Sequence, residues 1–494
     1  MKRTYWHVTG ALVAAAMLAV SCSSDKGTPD PGPGSETEIQ EWMFAYMKTH
    51  YLWNDAVKNV TPDYKLEYTD FLGRVLRDVA AQNDVNHDDG HWEKGVRTGF
   101  YSNIDRYKTA SAQSKSRSLH KTTEGMGVSY IVYDDVPGMT GEYYLILMGV
   151  SPGSPVAKAG LGRGSLILRV DGEKITDKNL EACWKQLTTD EAGHTVTLTT
   201  AVLSNGKLVE GSEMSVTSAS YDDNPVWVTK VLTAENGTDK IGYLVYNSFN
   251  MNYDQQLMNA FREFKSQDVR HLILDLRNNG GGHLVSSLLM STMIAGNAKK
   301  DQVFLKQTTN KDRTAKGDAG SVYTIGGNYD AAKQGLQEAY ALGLSSVYVL
   351  CTENTASASE AVINGLRGIG IDVRLVGETT NGKNVGMEPV VKEKDGYEYE
   401  FSPITFYSEN AVGSKDYSSG FTPEVLVHEF WYDIYPWGDV RDPLLGTALK
   451  WINTGVKPSG TAVAEVRSAV PERKALKRRD RLEGLIVLPG SDLK

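Results

Sequence analysis

The sequence predicts a multidomain α/β protein, and three patterns predict it. From residue 240 onward, apolar strand-like runs ("KIGYLVYNSF", "HLILDLRNN", "SSVYVLC") alternate with stretches of helical spacing ("YDQQLMNAFREFKS", "LVSSLLMSTMI", "ASEAVINGLRGIG"). That alternation is the pattern of a sheet covered by helices. Between about 120 and 220 the strands are short and broken by turn residues, as in a small β domain. Before that, "EIQEWMFAYMKTHYLW" and "DFLGRVLRDVAAQ" repeat apolar residues at i, i+3 and i+4, so residues 37–119 read as a helical N-terminal domain.

The first residues read as a targeting segment. "MKRTYWHVTGALVAAAMLAVSC" has a basic start, a short apolar run and small residues, which is a secretory signal over 1–21 and too short to span a membrane. Cys22 ends it, and "SSDKGTPDPGPGSE" makes residues 22–36 a flexible tether. A cysteine at the cleavage point followed by a tether resembles a bacterial lipoprotein lipidated at Cys22. Ala19 stands where that signal prefers Leu, and a plain secreted protein cleaved nearby is the alternative. The resemblance implies an exported chain anchored by lipid to a bacterial envelope, on its periplasmic face or at the cell surface.

The 494 residues suffice for several domains, and 40% hydrophobic with 23% charged residues is ordinary for a globular chain. A net charge of −9 argues against a nucleic-acid partner. Of three cysteines, Cys183 and Cys351 lie in apolar elements and read as buried thiols, a disulfide between them being the lesser option. The acidic run "NDVNHDDGHWEKG" is a poor calcium loop: Gly90 falls one place late and Gly95 stands where a glutamate belongs. His87 and His91 are interrupted by Gly90, so no metal site is expected there. "TVTLTTAVLSNGKLVEG" reads as a hairpin turning at Asn205-Gly206. The last residues, 456–494, include "ERKALKRRDR" and read as a basic tail, mobile or as a loosely docked helix.

Five stretches carry chemistry. In "CTENTASASEAVINGLRG", Ser357 and Ser359 stand among alanines where a strand stops and a helix starts, a place where free N–H groups favour negative charge. Equally, Thr355 or Ser357 can serve as a helix cap, with Glu360 completing a capping box. "LILDLRNNGGGHL" puts three glycines after a strand, suited to aiming an N–H at a developing oxyanion; it lacks the spacing of a nucleotide-binding loop. "LVGETTNGKNVG" sets Lys383 on a glycine-rich loop, where desolvation can make a lysine a base. "EGMGVSYIV" and "GVSPGSPVAKAGLGRGSLILRVDGEKI" frame a glycine-bracketed loop whose N–H groups can hold a carboxylate, followed by a strand that can accept an added strand.

The last pair resembles a PDZ domain of the protease-associated kind, over 120–225, with Ser165 where that subgroup has Asp. The pieces together, with "IGYLVYNSF" and "GFTPEVLV", resemble the C-terminal processing, or tail-specific, serine protease family over roughly 120–450. The resemblance implies a crotonase-like ββα protease core over 226–455, a Ser/Lys dyad of Ser357 and Lys383, and no cofactor or metal. It implies an oxyanion hole from the Ala358 N–H with Gly281 or Gly282, and a peptide-carboxylate site at Gly125, Met126, Gly127 and Val128. Substrates would be exported proteins or peptides with free, apolar C-termini. Family members often have a glutamine soon after the lysine; here Met387 and Glu388 follow, and Glu388 is the candidate for orienting it. Two other readings compete: a serine–histidine hydrolase using His283, and an inactive, peptide-binding lipoprotein.

Overall fold

The computed structural model describes residues 37–82, 90–93, 96–108, 122–136, 139–189, 191–204, 207–429, 434–459, 475–477 and 484–486. The signal segment, Cys22 and its tether, the acidic run 84–89 and the Asn205-Gly206 turn lie outside the described residues.

The N-terminal helices α1 (Thr37–His50) and α2 (Tyr68–Gln82) bury the apolar stripes that their sequences predict, among them Ile39, Met43, Phe44 and Met47, and Phe71, Leu72, Val75 and Leu76. They do not pack only on each other. Their core is completed by Val385, Met387, Tyr399, Phe401 and Ile404, more than three hundred residues on. A strand, β1 (Asn103–Lys108), leaves the helices and pairs far along the chain.

The central region is a sheet of β2 (Val128–Val136), β3 (Met139–Val150), β4 (Leu166–Val170), β5 (Glu173–Thr176), β6 (Thr195–Ser204) and β7 (Lys207–Thr217), in spatial order β7-β6-β4-β5-β3-β2. The β6–β7 hairpin pairs Ser204 with Lys207. Helix α3 (Leu180–Leu187) closes its core with Cys183 and Leu187.

The third region is built on a second sheet, whose strands in spatial order are β8 (Val226–Thr233), β9 (Lys240–Tyr246), β10 (Val269–Asp275), Ser346–Cys351, Asp372–Gly377 and Val425–Leu426. All but β8 run parallel. Strands buried on both faces need unbroken apolar runs, and β9 supplies one. Leu244 and Tyr246 face a core shared with helices α4 (Asp254–Ser266) and α5 (Leu284–Ala295). Tyr243 and Val245 face the opposite core. Helix α5 is buried all round, as its wholly apolar and small composition requires.

A third sheet lies over these helices. It contains β11 (Gly281–His283), β12 (Val303–Thr309) and β13 (Val322–Thr324), and, after the second-sheet strands β14 (Ser346–Cys351) and β15 (Asp372–Gly377), β16 (Val385–Met387). Strands β17 (Val390–Lys394) and β18 (Tyr397–Ser402) join β1 in a separate three-stranded sheet, and β19 (Ile404–Glu409) returns to the third. After β20 (Val425–Leu426), helix α6 (Pro443–Thr454) packs Leu444, Leu445, Ala448 and Trp451 on the face opposite α4 and α5.

The C-terminal segment departs from expectation. Its described parts are strands, β21 (Ala475–Lys477) and β22 (Gly484–Ile486), not a helix. "ERKALKRRDR" has no apolar helical stripe, whereas open sheet edges offer unpaired N–H and C=O groups. β21 adds to β2, and β22 lies between β11 and β16.

One buried ion cluster joins the central region to the sheet. Arg277 bonds Asp275 at 2.6 Å, Glu429 at 2.6 Å and Asp442 at 2.9 Å, and Arg163 also bonds Glu429. The Trp437 ring covers both guanidiniums, 4.2 Å from Arg163 and 5.0 Å from Arg277. Cys183 and Cys351 are separate free thiols in different cores.

Candidate active site

The strand β14 ends at Cys351, and the following turn delivers Ser357 to the start of a helix, Ala358–Gly368. Ser357 has φ 58°, a left-handed conformation that a serine adopts only when its surroundings hold it there. The side chain is 1% exposed, and Ser357 Oγ makes no hydrogen bond to a described residue. A helix-capping hydroxyl would be bonded to the N–H two or three residues on. Ser357 is therefore strained and buried, its backbone held by Glu360 and Ala361 while its hydroxyl makes no close hydrogen bond among the described residues.

The turn is stitched to the loop after β10. Thr352 Oγ1 donates to Arg277 O at 2.6 Å and Thr355 Oγ1 to Leu276 O at 2.8 Å. Ala356 N–H and Ser359 Oγ both reach Asn279 O, at 3.0 Å each. Thr355 and Ser359 thus serve the inter-loop seam. This seam sets the triple glycine beside the start of the helix.

Of the three glycines, Gly281 is not an available oxyanion donor, because its N–H donates to Asn279 Oδ1 at 2.9 Å. Asn279 is itself fixed by Nδ2 on Tyr246 O at 2.9 Å. Gly282 lies in the β11–β22 ladder and bridges Phe249. A side chain there would meet Phe249 O at 2.3 Å, and φ is 131°, so the glycine is required for the close approach. Gly280 N–H donates to no described residue, and neither does Ala358 N–H at the helix start. These two amides are the pair left for an oxyanion.

Glu360 binds the two chemical loops together. Its Oε2 accepts Ser357 N–H and Lys383 N–H, both at 2.8 Å. Its Oε1 accepts Thr380 Oγ1 and Gly382 N–H, both at 2.6 Å. Burial pushes the Glu360 carboxyl up to about 7, while these four donors pull it down. The capping box suggested by the sequence is present, with the Glu360 side chain on the Ser357 N–H and the Ser357 side chain turned to the Glu360 N–H. Glu360 also brings the lysine loop to the serine, which its sequence position did not disclose.

Lys383 is 5% exposed, and its Nζ lies 4.3 Å from the centre of the Tyr101 ring. Tyr101 OH donates to Asn381 Oδ1 at 3.0 Å, and Asn381 N–H donates to Thr355 O at 3.0 Å. The N-terminal region therefore supplies part of the lysine's wall. No local signal marks Tyr101, which lies 280 residues from Asn381.

One expectation is corrected, and one competing reading loses support. Glu388 does not orient Lys383; its Oε2 is 2.7 Å from Arg313 Nη1, and that guanidinium holds its carboxylate. His283 is turned elsewhere, with Nδ1 3.1 Å from Phe249 O and 3.3 Å from Met251 N. Burial lowers the His283 pKa to about 4.

In the central region, Gly125 pairs with Ala219, and Val128 opens β2 opposite Val150. Met126 O and Gly127 O accept Val156 N–H at 3.1 Å and Ser151 N–H at 2.9 Å. The N–H groups of Met126 and Gly127 donate to no described residue.

Comparison with known proteins fits this layout. The model of peptidase family S41 matches residues 240–427, and that of the peptidase S41 N-terminal domain matches residues 38–92. The carboxyl-terminal-processing peptidase 3 of Arabidopsis thaliana is 26% identical over 260 residues, 51% of this chain and 45% of that protein. The carboxyl-terminal-processing protease of Picosynechococcus is 29% identical over 239 residues, 47% of this chain and 49% of its own. The chain thus spans about half the length of these curated relatives. A crystal structure of a Bacteroides fragilis protein described as an S41 protease superposes with a TM-score of 0.67 at 27% identity, covering 87% of this chain and all of that one. One matched region holds the parallel sheet, the serine turn and the lysine loop and the other holds the helices packed beneath that loop, so the chain carries a peptidase family S41 domain over 240–427 and a peptidase S41 N-terminal domain over 38–92.

Proposed function

We propose that the protein is a serine endopeptidase working through Ser357 and Lys383. One observation carries the reading: a strained, buried serine with an unpartnered hydroxyl shares a carboxylate oxygen, through its backbone, with a buried lysine. Ser357 Oγ attacks the peptide carbonyl carbon as neutral Lys383 takes its proton. The oxyanion forms against the N–H groups of Ala358 and Gly280. Lys383 then passes the proton to the leaving amine, and water, deprotonated in its turn by Lys383, releases the acyl group.

The central region is read as a PDZ-like module, with the open amides of Met126 and Gly127 receiving a substrate's terminal carboxylate and β2 receiving its backbone. The names of the two curated relatives, both carboxyl-terminal-processing, favour substrates chosen by their C-termini. Anchoring through Cys22 to a bacterial envelope completes the reading.

The test is covalent labelling with a fluorophosphonate, alongside peptide turnover. Wild type should label once and cleave. Ser357→Ala should do neither while keeping its fold, and Lys383→Arg should lose turnover, because a guanidinium stays charged. Labelling that survives Ser357→Ala places the nucleophile elsewhere and overturns the assignment, whereas no labelling and no turnover in any form leave the peptide-binding lipoprotein as the better reading.

A further inference from the structure

Strand β22 lies between β11 and β16, with Gly281 opposite Gly484, Gly282 opposite Leu485 and Gly386 also opposite Leu485. It runs parallel to both. The two walls of this slot begin at chemical elements: β16 starts two residues after Lys383, and β11 starts one residue after Gly280. Sheet neighbours are about 4.8 Å apart, so a slot filled by one strand separates its walls by about 10 Å, the width of an extended peptide. Strand β21, a few residues earlier, lies antiparallel on β2, with Ala475 opposite Val132 and Lys477 opposite Tyr130. It occupies the edge proposed above for a substrate's backbone. Seven residue steps from Lys477 to Gly484 reach at most about 25 Å, so a single extended peptide can engage both edges.

We infer that the C-terminal segment is an intramolecular ligand of this peptidase, holding the module edge with residues 475–477 and the catalytic slot with residues 484–486, and so competing with substrate. The inference rests on the peptidase reading for its kinetic consequence, though not for the docking itself. Charge favours the same occupant. Arg473, Lys474, Lys477, Arg478, Arg479 and Arg481 bring a basic segment to a chain of net charge −9, and β2 carries Asp134 and Asp135. Tethering raises the effective concentration of even a weak strand into the millimolar range, so an external peptide must outcompete it.

The full-length protein tests this with backbone-directed variants. β22 is bonded on both sides, so Leu485→Pro must remove a ladder bond. Successive N–H groups of a strand point to opposite sides, so Leu476→Pro combined with Lys477→Pro must remove one towards β2. Hydrogen exchange is read over 128–136, 281–283 and 385–387, together with the rate of fluorophosphonate labelling. Exchange should quicken at those strands alone, and labelling should accelerate by about tenfold. A synthetic peptide of residues 470–494 added to the variants should restore both. Exchange and labelling equal to wild type in both variants overturn the inference. Quickened exchange with no labelling in any form supports the docked tail and defeats the peptidase reading instead.

Discussion

Glu360 carries more of this site than its neighbours suggest. One carboxylate gathers two N–H groups on Oε2 and an N–H and a hydroxyl on Oε1, and those donors belong to the serine turn and the lysine loop. Glu360→Gln offers an NH2 where two donors already point, leaving groups unsatisfied at about 1–3 kcal/mol. We expect kcat to fall about tenfold or more with KM little changed, measured on protein whose circular dichroism matches wild type. Tyr101 separates its two roles by substitution. Tyr101→Phe keeps the ring over Lys383 and loses the hydroxyl's bond to Asn381, so activity should fall by a few fold at most. Tyr101→Leu removes the ring, worth about 0.5–2 kcal/mol to a nearby ammonium, and should disturb turnover more. Asp254 gives a stability counterpart. Burial raises its pKa to about 7, and Tyr329 OH donates to it at 2.7 Å. A carboxyl raised in the folded state stabilises fully below its unfolded pKa of about 3.9 and loses that contribution as pH rises through about 7. Asp254→Asn, which mimics the protonated form, should raise the unfolding midpoint at pH 8 and barely move it at pH 4.

Among elements, those that repeat a local period were legible and those that answer to distant partners were not. The strand "KIGYLVY" and the helix "LVSSLLMSTMI" state their burial in their composition, so the alternating sheet could be read directly. The serine turn and the lysine loop were legible as motifs, because strand ends, glycines and helix starts are local events. Which glycine amide stays open was not, since it depends on Asn279 Oδ1 claiming Gly281. Glu388 was misread for a similar reason: its partner, Arg313, lies 75 residues away. The tail was misread because a strand made by edge pairing needs no pattern of its own. Gly282 shows how tightly the elements meet. Gly282→Ala would force a methyl to within 2.3 Å of Phe249 O at a positive φ. The β11 backbone must then retreat, and we expect lower thermal stability and a fluorophosphonate rate reduced about tenfold or more, read by calorimetry and labelling. Gly127→Val is a poorer probe of carboxylate capture, because its Cβ would lie 2.0 Å from Ser154 Cβ and disrupt the loop itself.

At the scale of the whole molecule, the regions are interlocked. The N-terminal helices finish their core on strands around residues 385–404, and the central region is tied to the catalytic sheet through Arg163. Removing Arg277 would strand Asp275, Glu429 and Asp442 as buried carboxylates short of a partner. Arg277→Met should therefore cost about 3–5 kcal/mol in denaturant unfolding. The cluster also bears on the order of events as the chain folds. Its charges come from positions 163, 275, 277, 429 and 442, and each is expensive to dehydrate until its counter-ions arrive. An assembly holding only some of them is poorer than one holding none or all. Partly folded forms, with the central region detached and the sheet intact, are thereby disfavoured. The described body should melt in one cooperative transition, with calorimetric and van't Hoff enthalpies in agreement, and neutralising Arg163 should split it in two.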